Sequence, residues 1–363
     1  MSERIETREK PSSLQIRAGA IAFYYQGFLD EAERTGVILN EENKMVSGVR
    51  RFLNEYKALM GGVMPTHEEL LEYRDLTMRV AELRKAEKGL SQKDFIKAHR
   101  DQLDIDLLGR AANALLIKSY NKKGNGYFEN MLKIYTGELS YGIGGDTDRE
   151  PDENAWASDM LMDKASDRIV EDVGKRFGDR EVVLEFGAGS GNFSKKSLIN
   201  HCANHAKVTD KNPETQRAAK ENLENSGLVK GKDFELLELD MRNLGKLKEL
   251  ANELGNKKIL IHIGYILHEN RQLALDTLAA LYQAFSGMDV VYAFSEYFLQ
   301  DKIIEEVPLD FQGLHYTTQD LFYRDEFLQT VESFKFSRVS ETVHNYRSKD
   351  VVMNSTTFWT SSK

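Results

Sequence analysis

Between residues 181 and 298 the chain alternates short runs of β-forming residues, EVVLEFG, AKVTD, DFELLELD, KILIHIGY and DVVYAFSEYF, with stretches of helical periodicity. Runs this apolar are buried on both faces, and each gap is long enough for a crossover helix. The pattern therefore demands a mostly parallel sheet with helices on both sides. A further helix pattern, RDEFLQTVESF, precedes two last strand candidates, SRVSETVHNY and VVMNSTTFWTS. These are expected to close one edge as an antiparallel pair, giving seven strands in all.

Ahead of this α/β region the text changes character. From Ser13 to Leu132 it reads as successive amphipathic helices, among them SLQIRAGAIAFYYQGFLDEAERTG and NKMVSGVRRFLNEYKALMGG. Several end in glycine, and Thr66 and Ser91 stand where N-caps belong. A stretch rich in Gly and Asp, GELSYGIGGDTDREPDEN, follows. The expected organisation is a helical domain over 1–136, a linker or active-site loop over 137–154, and an α/β domain over 155–363.

Composition narrows the function. The chain of 363 residues is 41% hydrophobic and 29% charged, a globular balance. It has no apolar stretch of about 18 residues to cross a membrane. Its N-terminus, MSERIETREKPSS, has charges where a secretory signal needs an apolar core. A single cysteine, Cys202, fits a reducing cytoplasm. The net charge of -9 argues against a surface for nucleic-acid phosphates and favours a small-molecule substrate.

The first β-run leads into a glycine turn, VVLEFGAGSGNF, with Gly187, Gly189 and Gly191 between strand and helix. Glycines there let the backbone turn sharply and let a ligand approach main-chain N–H groups. The spacing is G-x-G-x-G, and Glu185 stands two residues before it. A carboxylate there would repel a pyrophosphate but suits an amino-acid ammonium, which favours S-adenosylmethionine over a dinucleotide. Asp210, ending the second run, is placed to accept both hydroxyls of a ribose. Asp240, ending the third, can accept from an adenine amino group, with Met241 against the ring. Each acid alone is more often a cap or a solvated loop residue. Three at successive strand ends beside a glycine turn are a constellation.

LEFGAGSG, the Asp of VTDKNP and LDM together resemble the class I S-adenosylmethionine-dependent methyltransferases, from about Trp156 to the C-terminus. Within that group, the helical N-terminal half, YILHEN and FSEYF resemble the small-molecule O-methyltransferases of secondary metabolism. The resemblance implies a Rossmann-like methyltransferase domain after an all-helical domain that covers the pocket and can form a homodimer. It also implies a histidine general base at Ile266-Leu267-His268. Glu269-Asn270 stands where that family has Asp-Trp. Glu296, on the neighbouring fifth strand, is implied as the acid that orients the imidazole.

The residues leave other readings open. His268 fits a helix N-cap or a packed turn as well as a base. His262 is too far along the strand to share a metal with His268, about 20 Å if fully extended. His201 and His205 have the i, i+4 spacing of a helix, yet no ligand set emerges, and no metal is expected. Tyr135, Tyr141, Tyr265 and Tyr297 are candidates for the substrate pocket against a background expectation of ordinary packing. N- or C-methylation, with or without a metal, and a non-catalytic cofactor-binding partner are the alternatives to O-methylation. A base-nitrogen methyltransferase is disfavoured, since the fourth strand lacks the Asn/Asp-Pro-Pro-aromatic turn.

Overall fold

The computed structural model describes residues 13–60, 98, 132–133, 135–138, 165–268, 270–299, 322–346 and 352–361. The chain divides into two compact units, Met1–Ser140 with Lys302–Thr318, and Tyr141–Asp301 with Gln319–Lys363.

In the first unit, α1 (Ser13–Thr35) and α2 (Lys44–Met60) pack through one apolar stripe each. Tyr25, Phe28 and Ala32 of α1 and Val49, Phe52 and Tyr56 of α2 are all buried, and Tyr25 sets its edge against Phe52 at 5.1 Å between ring centroids. Asn43 caps α2, its Oδ1 accepting from the N–H of Met45 at 2.9 Å.

The second unit is a single mixed sheet. Its strands are β1 (Arg180–Phe186), β2 (Ala203–Asp210), β3 (Phe234–Glu238), β4 (Ile259–Gly264), β5 (Val290–Leu299), β6 (Phe322–Tyr323), β7 (Phe336–Tyr346) and β8 (Val352–Ser361). The order is β3-β2-β1-β4-β5-β8-β7, with the two-residue β6 attached to β5. The first five strands are parallel, while β8 runs antiparallel to both β5 and β7. The seven long strands and the antiparallel edge are those expected from the sequence. The short β6 is an addition that no periodicity could reveal.

Alternate residues of each strand feed two cores. One face buries Leu184, Ile261, Phe294 and Trp359 beneath α5 (Leu244–Leu254), α6 (Arg271–Phe285) and α7 (Arg324–Ser333). The other buries Val183, Leu260, Ala293 and Phe358 beneath the helix over residues 165–177, α3 (Asn192–Ile199) and α4 (Pro213–Asn225). At roughly 25 cal/mol per Å² of apolar surface removed from water, these two layers supply the main driving force for folding. The strand order reverses between β1 and β4. In an open α/β sheet, the crevice at that reversal, by the strands' carboxyl ends, is where ligands bind.

Candidate active site

The glycine turn fills the β1 side of that crevice. Gly187, Gly189 and Gly191 have φ of 59°, 54° and 70°, in the left-handed region that costs a side chain energy. Space excludes a side chain as well, since a Cβ on Gly187 would stand 1.9 Å from Ile266 Cδ1. Gly191 is the N-cap of α3 and offers no side chain to its first turn. The main-chain N–H groups of that turn form the positive end of a helix, suited to a carboxylate. Glu185 lies beneath the turn, 4% exposed. Its Oε2 accepts from the Ser194 N–H at 3.0 Å and from the Ser194 hydroxyl at 2.5 Å. The carboxylate thus ties β1 to α3 and holds the turn in place, a task beyond the ammonium contact expected of it.

The other two acids differ from each other. Asp210 ends β2 with its carboxyl turned back onto main-chain N–H groups of Asn212, Gly189 and Lys211. Burial pushes its pKa up and those N–H groups oppose the rise. It therefore sits against the glycine turn, within the constellation anticipated for it. Asp240 does not end β3, which stops at Glu238. Its carboxylate is gripped by Arg242, with Nε at 3.0 Å and Nη2 at 2.6 Å, and that guanidinium holds its pKa below the usual carboxylate range. An adenine amino group would have to share or displace that pairing. Met241 is half-buried, and its Cε comes within 3.8 Å of the Cβ position at Gly187.

His268 lies across the crevice from the turn. It is 3% exposed, and its Nδ1 is 2.5 Å from Glu296 Oε2. Glu296, 1% exposed, is itself fixed, because its Oε1 accepts from the N–H of Leu267 at 2.9 Å and of Ile266 at 3.3 Å. The carboxylate on β5 thereby grips the turn after β4 by both backbone and imidazole. A carboxylate at Nδ1 keeps the hydrogen there, so Nε2 carries the lone pair and the cation formed on protonation is stabilised. The N-cap of α6 is Asn270, whose Oδ1 accepts from the Leu273 N–H at 3.0 Å. Helix capping is therefore removed from the possible duties of His268.

Tyr265 and Tyr297 adjoin this pair. Tyr265 adopts φ of 59°, unusual for a residue with a side chain, and its ring stacks on Tyr297 at 4.3 Å. The Tyr297 ring meets the His268 imidazole edge-on at 6.0 Å. Burial drives both phenol pKa values upward, so these hydroxyls stay neutral. The Asn354 amide, on β8, donates to the Tyr265 hydroxyl at 3.3 Å. Asn354 had no sequence signal: only the β5–β8 register, which sets it opposite Tyr297, brings it here.

Other candidates fall elsewhere. The Tyr135 hydroxyl accepts from the Asn40 N–H at 2.7 Å and donates to the Ile38 carbonyl at 3.1 Å, pinning a loop of the first unit. Tyr141 and the whole of 139–154 lie outside the described residues. His201 is in a left-handed turn and His205 in β2, so their i, i+4 spacing belongs to no helix. Among the described residues, no group of three His, Cys, Asp or Glu side chains could hold a metal ion, and no helix is long and apolar enough to cross a membrane.

No protein-family model matches the chain, and neither does any curated protein. Solved structures do. An O-methyltransferase family protein from Burkholderia thailandensis is 14% identical, with 83% of this chain and 99% of the other aligned at a TM-score of 0.48. An S-adenosylmethionine-dependent methyltransferase from Clostridium acetobutylicum is 12% identical over 58% of this chain and 98% of its own, with a TM-score of 0.41. The N-methyltransferase NodS from Bradyrhizobium japonicum, solved with S-adenosylhomocysteine, is 12% identical over 58% and 95%, with a TM-score of 0.41. What identifies the architecture is the strand order itself. With the two-residue β6 set aside, the order 3-2-1-4-5-7-6 with an antiparallel seventh strand is the class I S-adenosylmethionine-dependent methyltransferase fold.

Proposed function

We propose that the protein transfers a methyl group from S-adenosylmethionine to a hydroxyl oxygen of a small organic molecule, with His268 as general base and Glu296 as its orienter. The buried His268–Glu296 pair, anchored by two main-chain N–H groups at the crevice, carries this reading.

The residues present fit the cofactor. The glycine turn at the N-terminus of α3 suits its carboxylate, Glu185 its ammonium, Asp210 its ribose, and Met241 with Asp240 its adenine. When bound, the cofactor supplies an electrophilic methyl on a sulfonium. The protein's part is alignment and proton removal. Holding acceptor oxygen, carbon and sulfur in line is an entropic gain that needs no special side chain. A phenol, with a pKa near 10, is poorly ionised at neutral pH, and a neutral imidazole accepts its proton as the new bond forms. The proton moves to His268 Nε2, and Glu296 steadies the resulting cation. The stacked Tyr265 and Tyr297, neutral and half-buried or buried, favour a planar apolar acceptor over a charged one.

The test offers the purified protein methyl-labelled S-adenosylmethionine with a panel of phenols, alcohols, amines and carbon acids. Label on oxygen of a phenol or alcohol is the expected product. Transfer only to nitrogen or carbon would refute the oxygen assignment, and cofactor binding with no product from any acceptor would favour a non-catalytic role.

A further inference from the structure

One row of polar side chains crosses the sheet on the face covered by α3. It starts at Glu185 on β1, whose Oε1 faces His262 Nδ1 on β4 at 3.8 Å. His262 is 1% exposed and lies flat on Phe193 of α3, 3.8 Å between ring centroids. Its Nε2 is 3.2 Å from the Ser295 hydroxyl on β5, which is 2.6 Å from the Thr356 hydroxyl on β8. The Thr356 hydroxyl in turn is 2.6 Å from His344 Nε2 on β7. Ser295 and Thr356 are fully buried. The two Nδ1 atoms at either end, of His262 and His344, are buried with no hydrogen-bond partner among the described residues.

Three links join two imidazoles through two hydroxyls, and each link needs one hydrogen. The hydroxyls supply at most two, so at least one imidazole Nε2 must donate. If both donate, one hydroxyl hydrogen leaves the row and the His262 Nδ1 lone pair faces the Glu185 carboxylate; two orders keep both hydroxyl hydrogens within the row. If His262 donates, its bare Nδ1 lone pair faces the Glu185 carboxylate and His344 is left with a buried Nδ1–H lacking an acceptor. If His344 donates, the hydroxyls both point toward His262, whose Nε2 accepts and whose Nδ1–H then faces the carboxylate. Each order leaves one Nδ1–H and one bare Nδ1 without a hydrogen bond, but the first buries the donor away from any acceptor and sets a lone pair against an anion, whereas the second points the donor at the Glu185 carboxylate. The second wins.

We propose that His262 is a positioning residue of the cofactor site: the hydroxyl row running in from His344 holds its ring as the Nδ1–H tautomer, aimed at Glu185 beneath the glycine turn. Glu185 Oε2 is taken by Ser194, and the His262 hydrogen is the dipole that holds the second oxygen in place. At 3.8 Å it acts by charge–dipole attraction and not as a hydrogen bond. An edge hairpin thereby sets the state of a group under the cofactor turn. The link to the cofactor rests on the function proposed above, while the tautomer does not.

Imidazole nitrogen NMR of the ¹⁵N-histidine-labelled full chain at neutral pH reads both ends of the row. The expected result is Nδ1–H for His262 and Nε2–H for His344. Thr356→Val keeps the side chain's shape and breaks the row, so a His262 Nε2–H population should appear and calorimetric binding of S-adenosylmethionine should weaken roughly three- to tenfold. Thr356→Ser, which keeps the hydroxyl, should restore both. A wild-type His262 found as Nε2–H overturns the proposal, whether or not the variants fold. So does a folded Thr356→Val variant with unchanged tautomer and affinity. If the wild-type tautomers are as expected but neither S-adenosylmethionine nor S-adenosylhomocysteine binds, the hydrogen-bond order stands and the cofactor reading fails.

Discussion

Two residues of the crevice show how chemistry and geometry divide the work. Glu296 is buried, accepts from two backbone N–H groups and pairs with His268. Glu296→Gln keeps the volume but replaces the anion that stabilises the imidazolium. A kcat lower by roughly 10–100-fold, with KM little changed, is the expected outcome in steady-state assays. Gly187 is the opposite case, a residue defined by what it lacks. Gly187→Ala must place a methyl against Ile266 Cδ1 in a left-handed backbone, at a cost of roughly 2–4 kcal/mol. Denaturant midpoints should show that loss, and adding Ile266→Val should recover part of it, because the clash is with the terminal carbon that valine lacks.

At the scale of elements, the turn from β4 into α6 separates two roles that the sequence leaves entangled. Asn270→Ala removes the α6 cap and should lower stability by about 1 kcal/mol in chemical denaturation. His268→Ala leaves that cap intact. The β-runs, the glycine turn and the placement of His268 next to Glu296 were legible because each is local pattern plus one neighbouring-strand relation. Asp240 was read as a strand end, but β3 stops two residues earlier and Arg242 takes the carboxylate, since a side-chain pairing outweighs a propensity boundary. Glu185 is expected to meet an ammonium directly or through water, and no sequence pattern shows that the hydroxyl and N–H of Ser194, in the first turn of α3, also hold its Oε2.

Across the whole second unit, the part that sequence could not show is the part that depends on register. Ser295, Thr356 and His344 look like scattered polar residues in apolar strands until β8 inserts between β5 and β7 and aligns them. The Tyr265–Tyr297–Asn354 cluster becomes visible only by the same insertion. The row carries a pH consequence for stability. Burial, with Arg168 and His262 adding and Asp172 opposing, pulls the His344 pKa down to about 4. In the unfolded chain it returns to near 6.5. Between these values the unfolded state binds the extra proton, so this group's contribution is full above about 6.5 and is lost as pH falls toward about 4. The loss should be on the order of 2 kcal/mol after allowance for partial exposure of the ring. Comparing melts from pH 7 to pH 4 should show a shallower decline in His344→Phe than in the parent protein.

The His268–Glu296 pair as proton acceptor is tested most directly by the single-turnover rate of methyl transfer to a phenol, measured across neutral pH in the wild type and in His268→Ala at saturating cofactor. A wild-type rate that rises with pH to a plateau, and a rate lower by roughly 10²–10⁴-fold in His268→Ala that recovers as the phenol ionises in alkali, is the predicted result. Equal rates and equal pH profiles in the two proteins would contradict it.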